Sequence, residues 1–563
     1  MDIVAIPTGA DWTSLLDGEA RRQLEREALL PFLARQRWFA GKARRPARAG
    51  LADWGLLSSG DEPAFLCLVD VDFADGGRHR YFLPVAAGAE PAASRIERER
   101  PANVIARLAG ARGGVLHDVL EEGVAATLLD AVASGRHVPT RCGELRAVAT
   151  SAFLGARGTA PTSALGARRL SGEQSNTSLL YGSRLILKIL RRVEPGLNPE
   201  YEVGLHLTER TAFDRAPRLA GALDYRSGAG QAIVGVMHAY VEHDVNAWDH
   251  GVGSARRFLD LVRSRPAPAA EAVAAASIVK ASQRRAPTLA LDTAGDYLEH
   301  AALLGQRTAE LHAALAEAAG DDAFEPEPMT RRDCQTLAAE MQSRAVGAVE
   351  ILRTSIDGVP PSLTAGAHRL VEAPDTFLAA FRRLATLDPV VSRIRVHGDY
   401  HLGQVLCSGG DFAILDFEGE PLRSIEERRG KHPAVKDVAG MLRSFGYAAH
   451  AALFRHPADQ PGELVHLEPW AQLWSGWASA AFLRAYLRTA GGAPFVPGDP
   501  GALDVLLRAF LLDKAFYELA YELSARPDWL RIPLRAILSF ADPEAQPGQG
   551  PSSSASPGTF RTA

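Results

Sequence analysis

Cysteine is scarce: Cys67, Cys142, Cys334 and Cys407 are the only four in 563 residues, and no two form a C-x-x-C pair. That excludes a disulfide framework and a structural zinc site of ordinary spacing, and it points to a reducing compartment. No run of about 18 uncharged apolar residues occurs, so a membrane span is not expected. The start, Met1-Asp2-Ile3-Val4, has no basic patch leading into an apolar core. A soluble, cytoplasmic protein is expected on both grounds. Neither sign of charge predominates, because 62 Lys and Arg face 67 Asp and Glu for a net charge of -5. There is thus no global drive toward nucleic acid or an anionic membrane, and any polyanion must be met locally. What is present is ordinary globular composition, 47% hydrophobic and 23% charged, which excludes disorder as the dominant state. The length allows about three to five domains.

Along the chain, strand-like stretches at 64–72 and 80–85 flank the turn signal Asp75-Gly76-Gly77 and predict a hairpin. The segment 35–45 before them is basic and aromatic. It reads either as an anion or partner site or as a solvated edge anchored by Trp38. Residues 102–165 are rich in Ala and Gly and read as a bridging region. A second β-rich region covers 168–241, after which the composition turns helical. Apolar spacing predicts an amphipathic helix over 297–317, with His312 packed on it, and further helices over 470–486 and 506–523. The stripe Trp470, Trp474, Trp477 reads as core. A strand cluster at 393–417 interrupts this helical half, and from Gln546 the Gly, Pro and Ser content predicts a disordered tail.

The densest chemistry lies in His397-Gly398-Asp399-Tyr400-His401-Leu402-Gly403-Gln404, followed by a Gly409-Gly410 turn and Leu415-Asp416-Phe417-Glu418. Antiparallel pairing about that turn sets Leu415 opposite Gln404 and brings Asp416 beside it. An oxygen from each side chain can then reach one hard cation, with Asp399 at the strand's entrance, and two carboxylates with an amide oxygen suit Mg2+. Phosphoryl transfer needs such a metal and a carboxylate beside the attacking hydroxyl. Alternatively, His397, Asp399 and His401 could share one strand face as a zinc set. Gly398 and Gly403 favour a loop over that strand. The remaining alternative is histidines packed under a turn with solvated acids.

Upstream, a second hairpin over 177–190 puts Ile186, Lys188 and Leu190 on one face. A lysine there needs a partner, and Glu202, on a helix opened by Pro199, is the expected one. Such a pair would aim the ammonium at ATP phosphates. The preceding segment 171–178, including Ser175, Asn176, Thr177 and Ser178, offers small polar residues and backbone N–H groups as a phosphate-covering loop, although it lacks G-x-G-x-x-G. Met237, His238 and Tyr240 lie in an extended apolar stretch suited to an adenine.

These residues resemble the aminoglycoside-phosphotransferase branch of the protein-kinase-like superfamily, since Asp399 and Gln404 are spaced like the Asp and Asn of a kinase catalytic loop and Asp-Phe-Glu stands for Asp-Phe-Gly. More narrowly, His-Gly-Asp-Tyr-His-Leu-Gly-Gln-Val-Leu, Asp-Phe-Glu-Gly-Glu-Pro and 437–445 resemble the bacterial maltokinases. The segments 36–42 and 514–522 resemble that family's N-terminal cap and sugar-side helix. The resemblance implies an α+β, bilobal kinase-like fold with an additional N-terminal α+β cap and a mainly helical C-terminal lobe. Its expected division is a cap at 1–100, an intermediate region and β-rich lobe at 101–241, a helical lobe with the catalytic loop and sugar pocket at 242–545, and the tail at 546–563.

The same resemblance implies ATP-dependent, magnesium-dependent phosphorylation of maltose at its anomeric hydroxyl, feeding α-glucan synthesis. Asp399 would be the base and Gln404 and Asp416 the metal ligands, with Lys188 on phosphate. His401 would contact the sugar, and Asp437 would brace the catalytic loop. Lys514, Tyr517 and Tyr521, at i, i+3 and i+7 of one helix face, would offer a sugar stacking and hydrogen bonds, although two half-buried core tyrosines and a surface lysine fit the same spacing. Gln404 departs from the Asn of most aminoglycoside-type kinases. The alternatives are a glucosamine or aminoglycoside kinase, and a non-catalytic scaffold docking trehalose synthase through its cap.

Overall fold

The computed structural model describes residues 3–42, 44–118, 122–170, 175–269, 277–421, 423–455 and 462–540. The expected tail and residues 171–174 of the phosphate segment lie outside these. The chain is mixed α+β, sheet-rich in its first part and helical in its second. Its contacts divide it into two units. The first comprises Met1–His250, Arg307–Glu325 and Arg395–Lys431, and the second Gly251–Gln306, Pro326–Ile394 and His432–Ala563. This partition is not the expected linear order, because Arg395–Lys431 belongs with the sheets.

The first unit contains two seven-stranded sheets. One has the order Ala5–Pro7, Val104–Ala109, Gly114–Asp118, Arg78–Gly88, Ala64–Phe73, Pro46–Ser58, with Arg192–Val193 paired to Arg78–Gly88. The hairpin expected at 64–85 is its centre, with Asp72 paired to Arg78 across the turn. The sheet runs on to Asp118, past the boundary expected at residue 100. The second sheet has the order His137–Pro139, Gly143–Ala149, Leu219–Ser227, Gly230–Ala239, Leu185–Ile189, Thr177–Tyr181, Ala167–Arg169. Residues 102–165, expected only to bridge, supply strands to both sheets and the helix Glu122–Ser134.

Alternation along the strands decides what each face of the second sheet meets. Leu185, Leu187 and Ile189 join one apolar cluster with Phe32, Trp38, Phe65 and Tyr81 of the first sheet's side, so the two sheets share a core. On the opposite face Leu190, Leu219, Ile233 and Val236 pack against Tyr201 and Leu205 of the helix Pro199–Glu209. Asn198 caps that helix by accepting from the Glu200 N–H at 2.8 Å, and Pro199 occupies its first turn, where a missing N–H costs nothing.

In the described residues of the segment 35–45, the aromatic side chains are anchored in the core. Trp38 and Phe39 are buried, and Arg44 lies over the Phe73 ring and pairs with Asp75. The second unit is helical, with Val435–Phe454, Glu463–Ala490 and Pro500–Ala525 packed together. Trp470 and Trp474 are fully buried in it, as core.

Candidate active site

The site grows from the hairpin Val405–Ser408 and Asp411–Ile414. Gly409 and Gly410, at φ 56° and 78°, make a turn that side chains tolerate poorly and that matches strand twist. Pairs run from Ser408 with Asp411 to Val405 with Ile414, and the Leu415 N–H donates to the Gln404 carbonyl at 2.9 Å. This register delivers Asp416 to Gln404, whose Nε2 donates to Asp416 Oδ2 at 2.9 Å. Arg307 clamps the turn end through a two-pronged bond to Asp411 at 2.9 and 2.7 Å.

Asp416 takes the left-handed backbone region, φ 63°, a conformation costing about 1–2 kcal/mol for a residue with a Cβ. Its side chain is held in return. Lys188 Nζ donates to Asp416 Oδ1 at 2.6 Å, lies 2.6 Å from Glu418 Oε1 and reaches Glu200 Oε2 at 3.4 Å. Asn176 Nδ2 donates to the same Glu418 Oε1 at 3.0 Å. Burial opposes the charge on Lys188, but the carboxylates of Asp416, Glu200 and Glu418 outweigh it and hold the ammonium protonated. Burial, with Asp416 and Glu418 alongside, pushes Glu200 up, whereas the Lys188 charge overcomes burial at Asp416 and holds it below the usual range.

Oxygens of Glu200, Asp416 and Glu418 lie within 4.8 Å of one another. An all-oxygen set of this kind, with the Gln404 amide beside it, suits a hard cation such as Mg2+. Gln404 and Asp416 were expected here. Glu200 and Glu418 were not, although Glu418 is the third residue of the Asp-Phe-Glu motif.

The expected Lys188–Glu202 pair is not formed. At 100° per residue, Glu200 and Glu202 point about 200° apart around their helix. Glu200 shares a face with Tyr201, Gly204 and Leu205 toward the sheet carrying Lys188. Glu202 faces the other way, accepting from Arg395 Nη1 at 2.7 Å and from Arg429 at 2.9 and 2.6 Å. The apolar periodicity of that helix was the signal that could have chosen between them.

The segment 397–404, expected as a catalytic loop, is a loop with a 3₁₀ turn at Leu402–Gln404. His401 caps that turn, its Nδ1 accepting from the Gly403 N–H at 3.0 Å, so its Nε2 carries the hydrogen and stands 4.0 Å from Asp399 Oδ2. His397 is buried, donates from Nε2 to the Leu415 carbonyl at 2.8 Å and packs against the Tyr400 and Phe417 rings. A zinc set of His397, Asp399 and His401 is therefore not assembled.

Thr177 and Ser178, expected in a phosphate-covering loop, are buried at the head of the strand Thr177–Tyr181. Ser178 pairs with Lys188, and the Thr177 hydroxyl accepts from Arg191 Nε at 2.9 Å on the opposite face. Ser175 is exposed just before them. Met237, expected near the adenine, is a fully buried core residue. His238 lies on the Lys188 face across from Ile186, 3.9 Å from Glu200, and burial with the Lys188 charge holds its imidazole down at about 4. The Tyr240 N–H donates to the Arg184 carbonyl at 2.8 Å.

In the second unit, Lys514 Nζ sits 4.8 Å from the Tyr517 ring centre on the helix Pro500–Ala525, and Tyr521 is 50% exposed with the Arg526 guanidinium 5.4 Å from its ring. Asp437 is buried in the first turn of Val435–Phe454.

Residues 32–121 match the maltokinase N-terminal cap domain. Over 431 residues the chain is 28% identical to a glucosamine kinase of Streptacidiphilus jiangxiensis, covering 75% of this chain and 82% of that one. A glucosamine kinase of Mycolicibacterium smegmatis is 26% identical over 387 residues, covering 68% and 82%. A solved structure of glucosamine kinase in complex with glucosamine, ADP and inorganic phosphate superposes with a TM-score of 0.57 at 23% identity, over 92% of this chain and 99% of that one. What this chain shares with that solved structure is the fold.

Proposed function

We propose that this chain is an ATP-dependent, magnesium-dependent sugar kinase that phosphorylates maltose at its anomeric hydroxyl, releasing maltose 1-phosphate and ADP. It is a sugar phosphotransferase on the joint support of its cap and its sugar-kinase relatives. The observation that carries the reading is the cluster in which Lys188 meets Asp416 and Glu418 at 2.6 Å beside Gln404. Magnesium, bound with ATP, supplies neutralising charge for the phosphates, and Asp416, Glu418 and Gln404 are its ligands, with Glu200 as their buried neighbour. Lys188 takes phosphate oxygens, and Asp399 accepts the proton of the attacking hydroxyl. His401 contacts the sugar, together with Lys514, Tyr517 and Tyr521, and Asp437 braces the loop. ATP lies along Asn176 and the stretch from His238 to Tyr240.

An anomeric hydroxyl is more acidic than other sugar hydroxyls, which suits a single carboxylate base. A second reading, a glucosamine kinase, is favoured by the names of the relatives that cover most of the chain. ADP release measured with maltose, glucosamine and aminoglycosides separates them. Maltose should be preferred, and phosphorus and carbon NMR of the product should show coupling to the anomeric carbon. A preference for glucosamine, or phosphate on a primary hydroxyl, defeats the maltose assignment. Trehalose synthase is the proposed protein partner, and co-elution of the two purified proteins tests it.

A further inference from the structure

On the core side of the second sheet, between the cap and the edge strand Ala167–Arg169, lies a cleft of about 700 Å³. Six arginines line it, Arg35, Arg37, Arg95, Arg100, Arg168 and Arg169, with Glu99 as the only acid. Neither Arg35 nor Arg37 has an ion pair among the described residues, and Arg35 donates only to the Val104 carbonyl at 3.3 Å. In a chain whose net charge is -5, six arginines around one cleft make a concentrated positive field that suits an anion.

The floor is rigid. Trp38 is buried beneath the cleft with the Arg191 guanidinium 4.6 Å from its ring, and Arg191 in turn donates to Thr177. The cleft and the Lys188 cluster lie on opposite faces of the strand Thr177–Tyr181, since Thr177 lines the cleft while Ser178 pairs with Lys188, and they adjoin at Asn176, which lines the cleft and donates to Glu418.

We propose that this cleft is a second ligand site, for a phosphorylated small molecule. The positive lining is all arginine, whose planar fork meets phosphate oxygens two at a time. The volume is that of a small-molecule pocket. A nucleic acid fits poorly, since the aromatic residue present, Trp38, lies buried and offers no face for a base to stack on. The proposal does not depend on which sugar the enzyme phosphorylates.

Isothermal titration of the full-length protein, with the nucleotide site saturated by Mg-ADP, tests it with two probes: inorganic pyrophosphate and glucose 6-phosphate. At least one should bind saturably at a single site, and the stronger of the two tells an inorganic from a sugar-ester ligand. Arg37→Ala and Arg100→Ala, both at exposed positions, should each weaken that binding by about tenfold, the worth of one charge-assisted hydrogen bond. Arg48→Ala, an exposed arginine outside the cleft, should leave it unchanged. No saturable binding of either probe overturns the proposal. So does binding that survives both cleft substitutions, or binding that excess Mg-ADP displaces.

Discussion

Replacing Glu202 with glutamine should lower the thermal unfolding midpoint far more than the same change at Glu200, although the two lie two positions apart on one helix. Glu202 neutralises Arg395, which is 2% exposed, and stripping a partner from such a buried charge costs about 3–5 kcal/mol. Burial, with Asp416 and Glu418 nearby, already favours a neutral carboxyl at Glu200, and glutamine imitates that acid. Equal losses in the two variants would refute this division of labour. At Asp399, asparagine should cut turnover by about 10²- to 10⁴-fold while nucleotide binding, followed by titration with Mg-ATP, persists. At this scale the Gln404–Asp416 contact was legible in the sequence, because a two-glycine turn counts out its own register. The role of Glu200 was not, because it depends on which side of a helix meets a sheet formed by strands far away in the chain.

Among the elements, the helix Val435–Phe454 carries a pH response. His450 is half-buried there, its Nδ1 2.8 Å from the Gly446 carbonyl, and burial, reinforced by Arg443, holds its imidazole down at about 4. An unfolded chain takes that proton near the ordinary 6.5, so the unfolded state binds more protons between about pH 6.5 and 4 and stability falls as pH drops through that window. Unfolding midpoints at pH 7.5 and 5 should therefore differ more in the wild type than in His450→Gln. On the helix Pro500–Ala525, Tyr517→Ala and Tyr521→Ala should raise KM for the sugar and spare that for ATP, whereas a lower unfolding midpoint with normal kinetics would mark both as packing residues. Long amphipathic helices and glycine-turned hairpins were readable because their signals are local. The strands between 102 and 149 were not, since Ala and Gly carry little periodicity and the pairing of Arg192–Val193 with Arg78–Gly88 spans over a hundred residues.

For the whole molecule, the join between the two seven-stranded sheets is the feature with the widest reach. Arg191 and Asp118 are both fully inaccessible to solvent and are paired at 2.7 Å, with Arg191 also reaching Thr177 and the Phe82 carbonyl. Asp118→Asn should cost about 3–5 kcal/mol in a urea melt, while Asp118→Leu combined with Arg191→Met should recover much of that, as neutral replacements of buried pairs do. A double variant no better than the single would show that the pair itself holds the join. The consequence bears on engineering. A front segment ion-paired to Arg191, just after the Lys188 strand, is no detachable accessory: trimming it would strip that guanidinium of its carboxylate and expose the inner face of a sheet. An engineered variant should therefore keep front segment and hairpin together or lose both.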